Sequence, residues 1–323
     1  MSNNLPKFNK IFFDMDGVIT GETMYWEAAA MTVYELLFKR RDVGSSDIDD
    51  IHDTIFHGRD MINALKVRGV NTNWDLALVT YCISKHIDPN LTELDAEHFK
   101  KVAEFAQNMP NSATEVYEIA YNLAANVTGE NAAYYVREKG EFWTKLQDVF
   151  AAWFIGERLY EREKPIVPLP KLIETLDALR AAGITLGIGT GRPESETLRP
   201  LKAWGIEHYF DKSAIATYSD VVTAETECKS HESLAKPHPY VFLKAAAGGR
   251  YTDQQILDGS HEIITDGVLV VGDAVADFVS ARDGGFAFAA TLTGVSGADM
   301  REYFEQNGAE YIFDDVTGLK SIV

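Results

Sequence analysis

Apolar residues along this chain fall into two rhythms. Short unbroken runs, each bounded by glycine or polar residues, occur at "KIFFD", "GITLGIGTG", "SAIAT", "GVLVVGD", "GFAFAATL" and "AEYIFDD". Runs without polar alternation suit strands of a parallel sheet covered on both faces. Between them the apolar positions recur at helical spacing in "LPKLIETLDALRAAG", where Gly183 is a stop signal, and in "RPESETLRPLKAWG", "PHPYVFLKAAAGG", "DAVADFVSARDGG" and "GADMREYFEQNG". Strand and helix in alternation predict βαβ units and an α/β fold with a doubly wound parallel sheet.

One long region departs from this rhythm. From Gly21 to Lys164 the pattern is helical with almost no strand signal, in "MYWEAAAMTVYELLFKR", "IDDIHDTIFHGRDMINALKVRG", "WDLALVTYCISKHI", "DAEHFKKVAEFAQNM", "ATEVYEIAYNLAANV" and "YYVREKGEFWTKLQDVFAAWFIGERLY". Pro165, Pro168 and Pro170 then stop the helical run and stiffen the return to the sheet. The expected organisation is a core domain built from residues 1–20 and 165–323, with an all-helical domain, residues 21–164, inserted after the first strand.

The chain's 323 residues exceed what a single core usually supports, in keeping with two domains. With 46% hydrophobic and 24% charged residues, the composition is that of a globular protein. The formal net charge of −19 argues against nucleic acid or an anionic membrane as a partner, because the summed field repels polyanions. A small anionic substrate stays compatible where local cations or a metal overrule that field. Cys82 and Cys228 are far apart and lack CxxC spacing, so no disulfide framework or cysteine zinc site is expected. The amino terminus "MSNNLPKFNK" has no apolar signal core, and no apolar stretch reaches membrane-spanning length, so a cytoplasmic location is expected.

Ligands of open α/β sheets bind at the carboxyl ends of the strands, which directs attention to the polar stretches there. Asp14-Met15-Asp16-Gly17 follows the first run, and Thr190, Gly191 and Arg192 follow the second. Lys236 stands in "KPHP" before a helix, and Gly272-Asp273-Ala274-Val275-Ala276-Asp277 follows "VLVV". Each alone has a plain structural explanation as a turn or a helix cap. Together, in this order and context, they resemble the four motifs of the haloacid dehalogenase (HAD) superfamily. The resemblance covers residues 8 to 20 and 165 to 323 by motif. The helical insertion resembles the family's C1-type cap by position only, being 144 residues long and larger than the small four-helix version.

In an extended segment residues i and i+2 face the same side, so Asp14 and Asp16 can enter one cleft. Their mutual repulsion calls for a cation, and hard oxygen ligands suit Mg²⁺. The resemblance implies that Mg²⁺ is held by the Asp14 carboxylate, the Asp16 backbone carbonyl and the Asp273 carboxylate, with Asp277 in support. It implies Asp14 as nucleophile toward phosphorus, Asp16 as general acid and base, Thr190 as a phosphoryl-oxygen ligand and Lys236 as the charge that offsets both. Gly17, Gly191 and Arg192 are the remaining phosphate-binding candidates. Members that dehalogenate lack an acid at the second position, so Asp16 favours phosphate chemistry.

The expected activity is a Mg²⁺-dependent phosphatase acting on a small phosphorylated metabolite over which the cap closes. Phosphomutases like β-phosphoglucomutase carry the same motifs and stay open as an alternative, as does a non-catalytic binding or regulatory protein on the same scaffold. His52, His57, His86 and His98 lie in the helical insertion; His57 with Arg59 in "FHGRD" could face the substrate, and solvated positions on the cap surface are the plainer expectation. His231 and His238 flank Lys236 without zinc-type spacing. Tyr25, Trp26, Tyr134, Tyr135, Trp143 and Trp153 read as core aromatics, and Glu22 and Thr23 as hinge or substrate-entry candidates. The stretches "TAETECKSHESL" and "RYTDQQILDGSHEIITD" carry no assigned role.

Overall fold

The computed structural model describes residues 7–68, 70, 72–111, 113–128, 140–230, 232–295 and 297–323. Tyr134, Tyr135 and His231 lie outside them. Internal contacts divide the chain into two compact units, one formed by Met1–Gly21 and Lys164–Val323, the other by Glu22–Glu163. Gly21 N–H donates to Lys164 O at 2.9 Å, so the two crossings of the boundary are tied within the first unit.

The first unit is built on six parallel strands: β1 (Lys10–Phe13), β2 (Thr185–Gly189), β3 (Phe210–Ala216), β4 (Val268–Gly272), β5 (Ala287–Thr291) and β6 (Tyr311–Phe313). Their spatial order is β3-β2-β1-β4-β5-β6. All six apolar runs of the sequence are strands, because strands covered on both faces have no polar side to show. Alternation along β1 makes the point: Ile11 and Phe13 pack with Leu186, Ile188, Leu269 and Val271 on one face. Phe12 packs with Val268, Val270, Phe288 and Ala290 on the other.

Helices cover both faces. Leu172, Leu176 and Leu179 of the helix Leu169–Ala181 join the first cluster. Val241, Phe242 and Ala245 of Tyr240–Ala247, and Phe278 and Ala281 of Val275–Asp283, join the second. Further helices are Glu194–Ala203, Asp253–Leu257 and Arg301–Asn307. The sequence pattern missed two helices of this unit, Asp253–Leu257 within "RYTDQQILDGSHEIITD" and Tyr218–Glu227, which absorbs the first half of "TAETECKSHESL"; Thr217 and Asp220 form the capping box of the latter.

The second unit is helical. Its segments are Thr23–Phe38, Asp47–Ile55, Asp60–Lys66, Asn73–Ile87, Ala96–Gln107, Ala113–Thr128 and Glu141–Ala151, the last continuing into a π-helical turn, Ala152–Gly156. The single helix expected over 48–69 is two, because His57 and Gly58 take left-handed backbone angles (φ 46° and 66°) that no α-helix accommodates. The buried Glu27 carboxylate accepts from Arg162 Nε at 2.7 Å and Nη2 at 3.2 Å, tying the end of this unit to its first helix.

Candidate active site

The strand order reverses between β1 and β4, the topological switch point at which open α/β sheets form their crevice. Asp14 stands one residue past β1 and Asp273 one residue past β4, and Asp14 N–H donates to Val271 O at 2.9 Å. Parallel registration of the two strands therefore brings two acidic side chains from positions 14 and 273 side by side.

A tight loop follows β1. Ile19 N–H and Thr20 N–H both donate to Met15 O, at 2.9 and 2.8 Å, and Gly17 N–H donates to Thr20 O at 2.8 Å. Gly17 adopts φ +71°, and a Cβ there would overlap the Asp273 carboxylate. Glycine is thus required twice, for the backbone angle and for the space. Gly294, in the loop after β5, presses on Asp273 in the same way. Thr293 Oγ1 and, at 3.4 Å, Thr291 Oγ1 donate to Gly17 O. The β5 loop thereby braces the first motif. Thr20, Thr293 and Gly294 were missed in the sequence; the only signal was a glycine one step beyond a strand-ending "TLT".

Asp14, Asp273 and Asp277 each present a carboxylate oxygen within 4.8 Å of the others. Lys236 lies between two of them, with Nζ 2.8 Å from Asp14 Oδ1 and 2.7 Å from Asp277 Oδ1, and also 5.0 Å from the centre of the Phe242 ring. Asp277 is fully committed locally: its other oxygen accepts from Ala274 N–H at 3.2 Å, capping the helix Val275–Asp283. Asp14 is buried as well, its Oδ1 paired with the same ammonium.

Electrostatics follow from this crowding. The Asp14 carboxyl is raised to about 7, chiefly by burial, with Lys236 opposing the rise and the Asp277 and Asp16 carboxylates adding to it. Burial works against the Lys236 ammonium, but the Asp14 and Asp277 charges outweigh it and hold Lys236 above its ordinary value. Three carboxylates gathered this closely suit a hard divalent cation bound by Asp14 and Asp273, with Asp277 held behind them by Lys236.

Thr190 closes β2, its N–H donating to Ala216 O at 3.1 Å, and its hydroxyl oxygen accepts from Arg192 N–H at 3.2 Å. An added Cβ at Gly191 would meet nothing within 4 Å, so packing does not demand glycine there. Arg192 is buried and engages Asp16 through Nε, at 3.1 and 3.0 Å from the two carboxylate oxygens, and through Nη2. Of the five candidate positions outside the metal cluster and Lys236, four are thus close-knit: Asp16, Gly17, Thr190 and Arg192 share bonds with one another or with the residues around Asp273.

The histidines are engaged elsewhere. His238 Nδ1 accepts from Tyr240 N–H at 3.1 Å, and burial holds its imidazole below the ordinary value. In the helical unit His98 Nε2 meets Ser84 Oγ at 2.8 Å and His52 Nδ1 meets Asp53 at 3.0 Å. Arg59 stacks over Trp26 at 4.6 Å, and Glu22 pairs with Lys66 at 3.5 Å.

Residues 9–285 match the family model of haloacid dehalogenase-like hydrolases. An X-ray structure determined by the Northeast Structural Genomics Consortium is similar at a TM-score of 0.78 and 28% identity, covering 97% of this chain and 98% of that one. A predicted phosphoglycolate phosphatase from Haemophilus somnus shares the fold at a TM-score of 0.50 and 19% identity, covering 99% of each chain. No curated protein matches the sequence. Among the described residues, no helix is long and apolar enough to cross a membrane.

Proposed function

Because the chain belongs to the haloacid dehalogenase-like hydrolases, we propose that it is a Mg²⁺-dependent phosphatase that hydrolyses a small phosphorylated metabolite through an aspartyl-phosphate on Asp14. One observation carries this reading: Asp14, Lys236, Asp273 and Asp277, scattered over more than 260 positions of sequence, meet at the sheet's switch point, with the three carboxylates within 4.8 Å of one another and the Lys236 ammonium against Asp14.

The Asp14 carboxylate attacks phosphorus while the bond from phosphorus to the ester oxygen breaks, and the carboxyl group of Asp16 gives its proton to that departing oxygen. Asp16 then takes a proton from water as the water oxygen bonds to phosphorus. The bond from phosphorus to Asp14 breaks, releasing inorganic phosphate and restoring the Asp14 carboxylate and the protonated carboxyl group of Asp16. The Thr190 hydroxyl donates to a phosphoryl oxygen, since its own lone pair already accepts from Arg192 N–H. Lys236 offsets the charge of nucleophile and phosphate together, a preorganised cation in a dry site. Mg²⁺ would be held by the Asp14 and Asp273 carboxylates and the Asp16 backbone carbonyl, and when bound it neutralises phosphoryl charge.

The test is hydrolysis of p-nitrophenyl phosphate with and without Mg²⁺ by the wild-type protein and by Asp14→Asn. The wild type is expected to be active only with the metal and the variant inactive with an unchanged circular dichroism spectrum. Turnover by Asp14→Asn would remove the nucleophile assignment.

A further inference from the structure

We propose that Arg192 is a positioning residue that locks the Asp16 carboxyl group and the Thr190 hydroxyl in one arrangement, rather than a direct ligand of the substrate phosphate. The inference rests on the phosphatase reading above and assigns to Arg192 a role within that site.

The guanidinium is occupied on the side that faces the site. Nε donates to both oxygens of Asp16, Nη2 donates to Asp16 Oδ1 and, at 2.8 Å, to Thr20 Oγ1, and Nη1 lies 3.5 Å from Glu196 O. Thr20 Oγ1 in turn donates to Met15 O at 3.0 Å, within the loop that carries Asp16. The Arg192 side chain is 3% exposed and that of Asp16 29%. One flank of the Asp16 carboxyl therefore stays open to a substrate while the other is clamped.

The same residue acts a second time through its backbone. Its N–H donates to Thr190 Oγ1, which fixes where the threonine hydroxyl can point. One residue thus joins the group that handles the leaving oxygen to the group that handles the phosphoryl oxygen.

A buried guanidinium needs a paired, well-fitted anion, and a planar fork matches a carboxylate in a way that an ammonium does not. A carboxylate so fitted here is Asp16, two positions from the nucleophile. A displacement of about 1 Å at a catalytic group can lower rate on the order of 10²-fold. Contact between the guanidinium and phosphate would require release of Asp16.

The two roles separate on leaving-group dependence, read as kcat/KM so that only formation of the aspartyl-phosphate is measured. The substrates are β-glycerophosphate, whose alkoxide needs a proton, and p-nitrophenyl phosphate, whose phenolate needs little help. In Arg192→Gln, kcat/KM is expected to fall on the order of 10²-fold on the alkyl ester and only a few-fold on the aryl ester, in the range set by general acid catalysis. Arg192→Lys should fall between, and Thr20→Val, which removes the anchor of Nη2 together with the hydroxyl's own bond to Met15 O, should shift in the same direction by less. In an Asp16→Asn background, changing Arg192 should lower kcat/KM no further than about twofold, because residues acting as a unit are not additive.

Equal losses on both esters, or an additive loss in the Asp16→Asn background, overturn the inference. If Arg192→Gln does not fold, Arg192→Lys and Thr20→Val decide: no leaving-group-dependent loss in either overturns it. A wild-type protein that hydrolyses neither ester overturns the phosphatase reading, and this inference with it.

Discussion

Replacing Lys236 with methionine tests the electrostatic frame of the site most directly. Its ammonium lies 2.8 Å from Asp14 and 2.7 Å from Asp277, and the three side chains are 10%, 12% and 1% exposed. At an effective dielectric near 20, each contact represents roughly 6 kcal/mol of gross attraction, most of it cancelled by the desolvation of the charges. Removing one partner keeps that desolvation and loses the attraction, which typically costs about 3–5 kcal/mol. In Lys236→Met two buried carboxylates also face each other unshielded, and burial already raises the Asp14 carboxyl even with the lysine present. For a unit of this size the loss corresponds to roughly 6–20 °C in Tm.

The assay is calorimetry and urea unfolding in a chelator-containing buffer, so that metal binding does not contribute to stability. Adding Asp277→Asn to Lys236→Met removes one of the two orphaned charges and leaves an amide oxygen to cap the helix at Ala274. It is expected to restore about 1–3 kcal/mol, whereas Asp277→Asn alone destabilises the wild type. A Lys236→Met loss below about 1 kcal/mol, or the same effect of Asp277→Asn in both backgrounds, would refute the reasoning, because buried coupled charges cannot behave independently.

Two further predictions draw on other parts of the molecule. Gly294→Ala inserts a methyl group into the Asp273 carboxylate, so phosphatase activity should fall on the order of 10²-fold while the far-ultraviolet circular dichroism is preserved; wild-type activity would show that Asp273 is not held by this loop. Burial excludes Cys82 from solvent and pushes its thiol up, whereas Cys228 is half-buried. A thiol reagent should therefore titrate one cysteine in the native protein and the second only on denaturation, and equal reactivity of both would contradict the packing of Cys82.

Much of the architecture is legible in the chain because burial on both sides removes any reason for polar alternation: "KIFFD" and "VLVV" announce parallel strands without help from distant residues. The polar residues that terminate those strands, Asp14, Thr190 and Asp273, are legible for the complementary reason, since a polar side chain at the end of a buried run needs a partner. Local backbone chemistry was harder to read. The break at His57 and Gly58 escapes periodicity because left-handed angles arise residue by residue, and the helix Tyr218–Glu227 has too few buried positions, Val221 and Ala224, to stand out.

What the sequence determined by itself is the inventory: which strands form, where they end and which charged groups wait there. Only the tertiary structure decided the pairings, namely that Lys236 divides its attraction between Asp14 and Asp277 while Arg192 takes Asp16, and that Thr20, Thr293 and Gly294 close around them. The physical reason is range. Strand formation reports each segment's own burial, but an ion pair spanning 176 positions depends on strand order and on side-chain directions that no local stretch encodes.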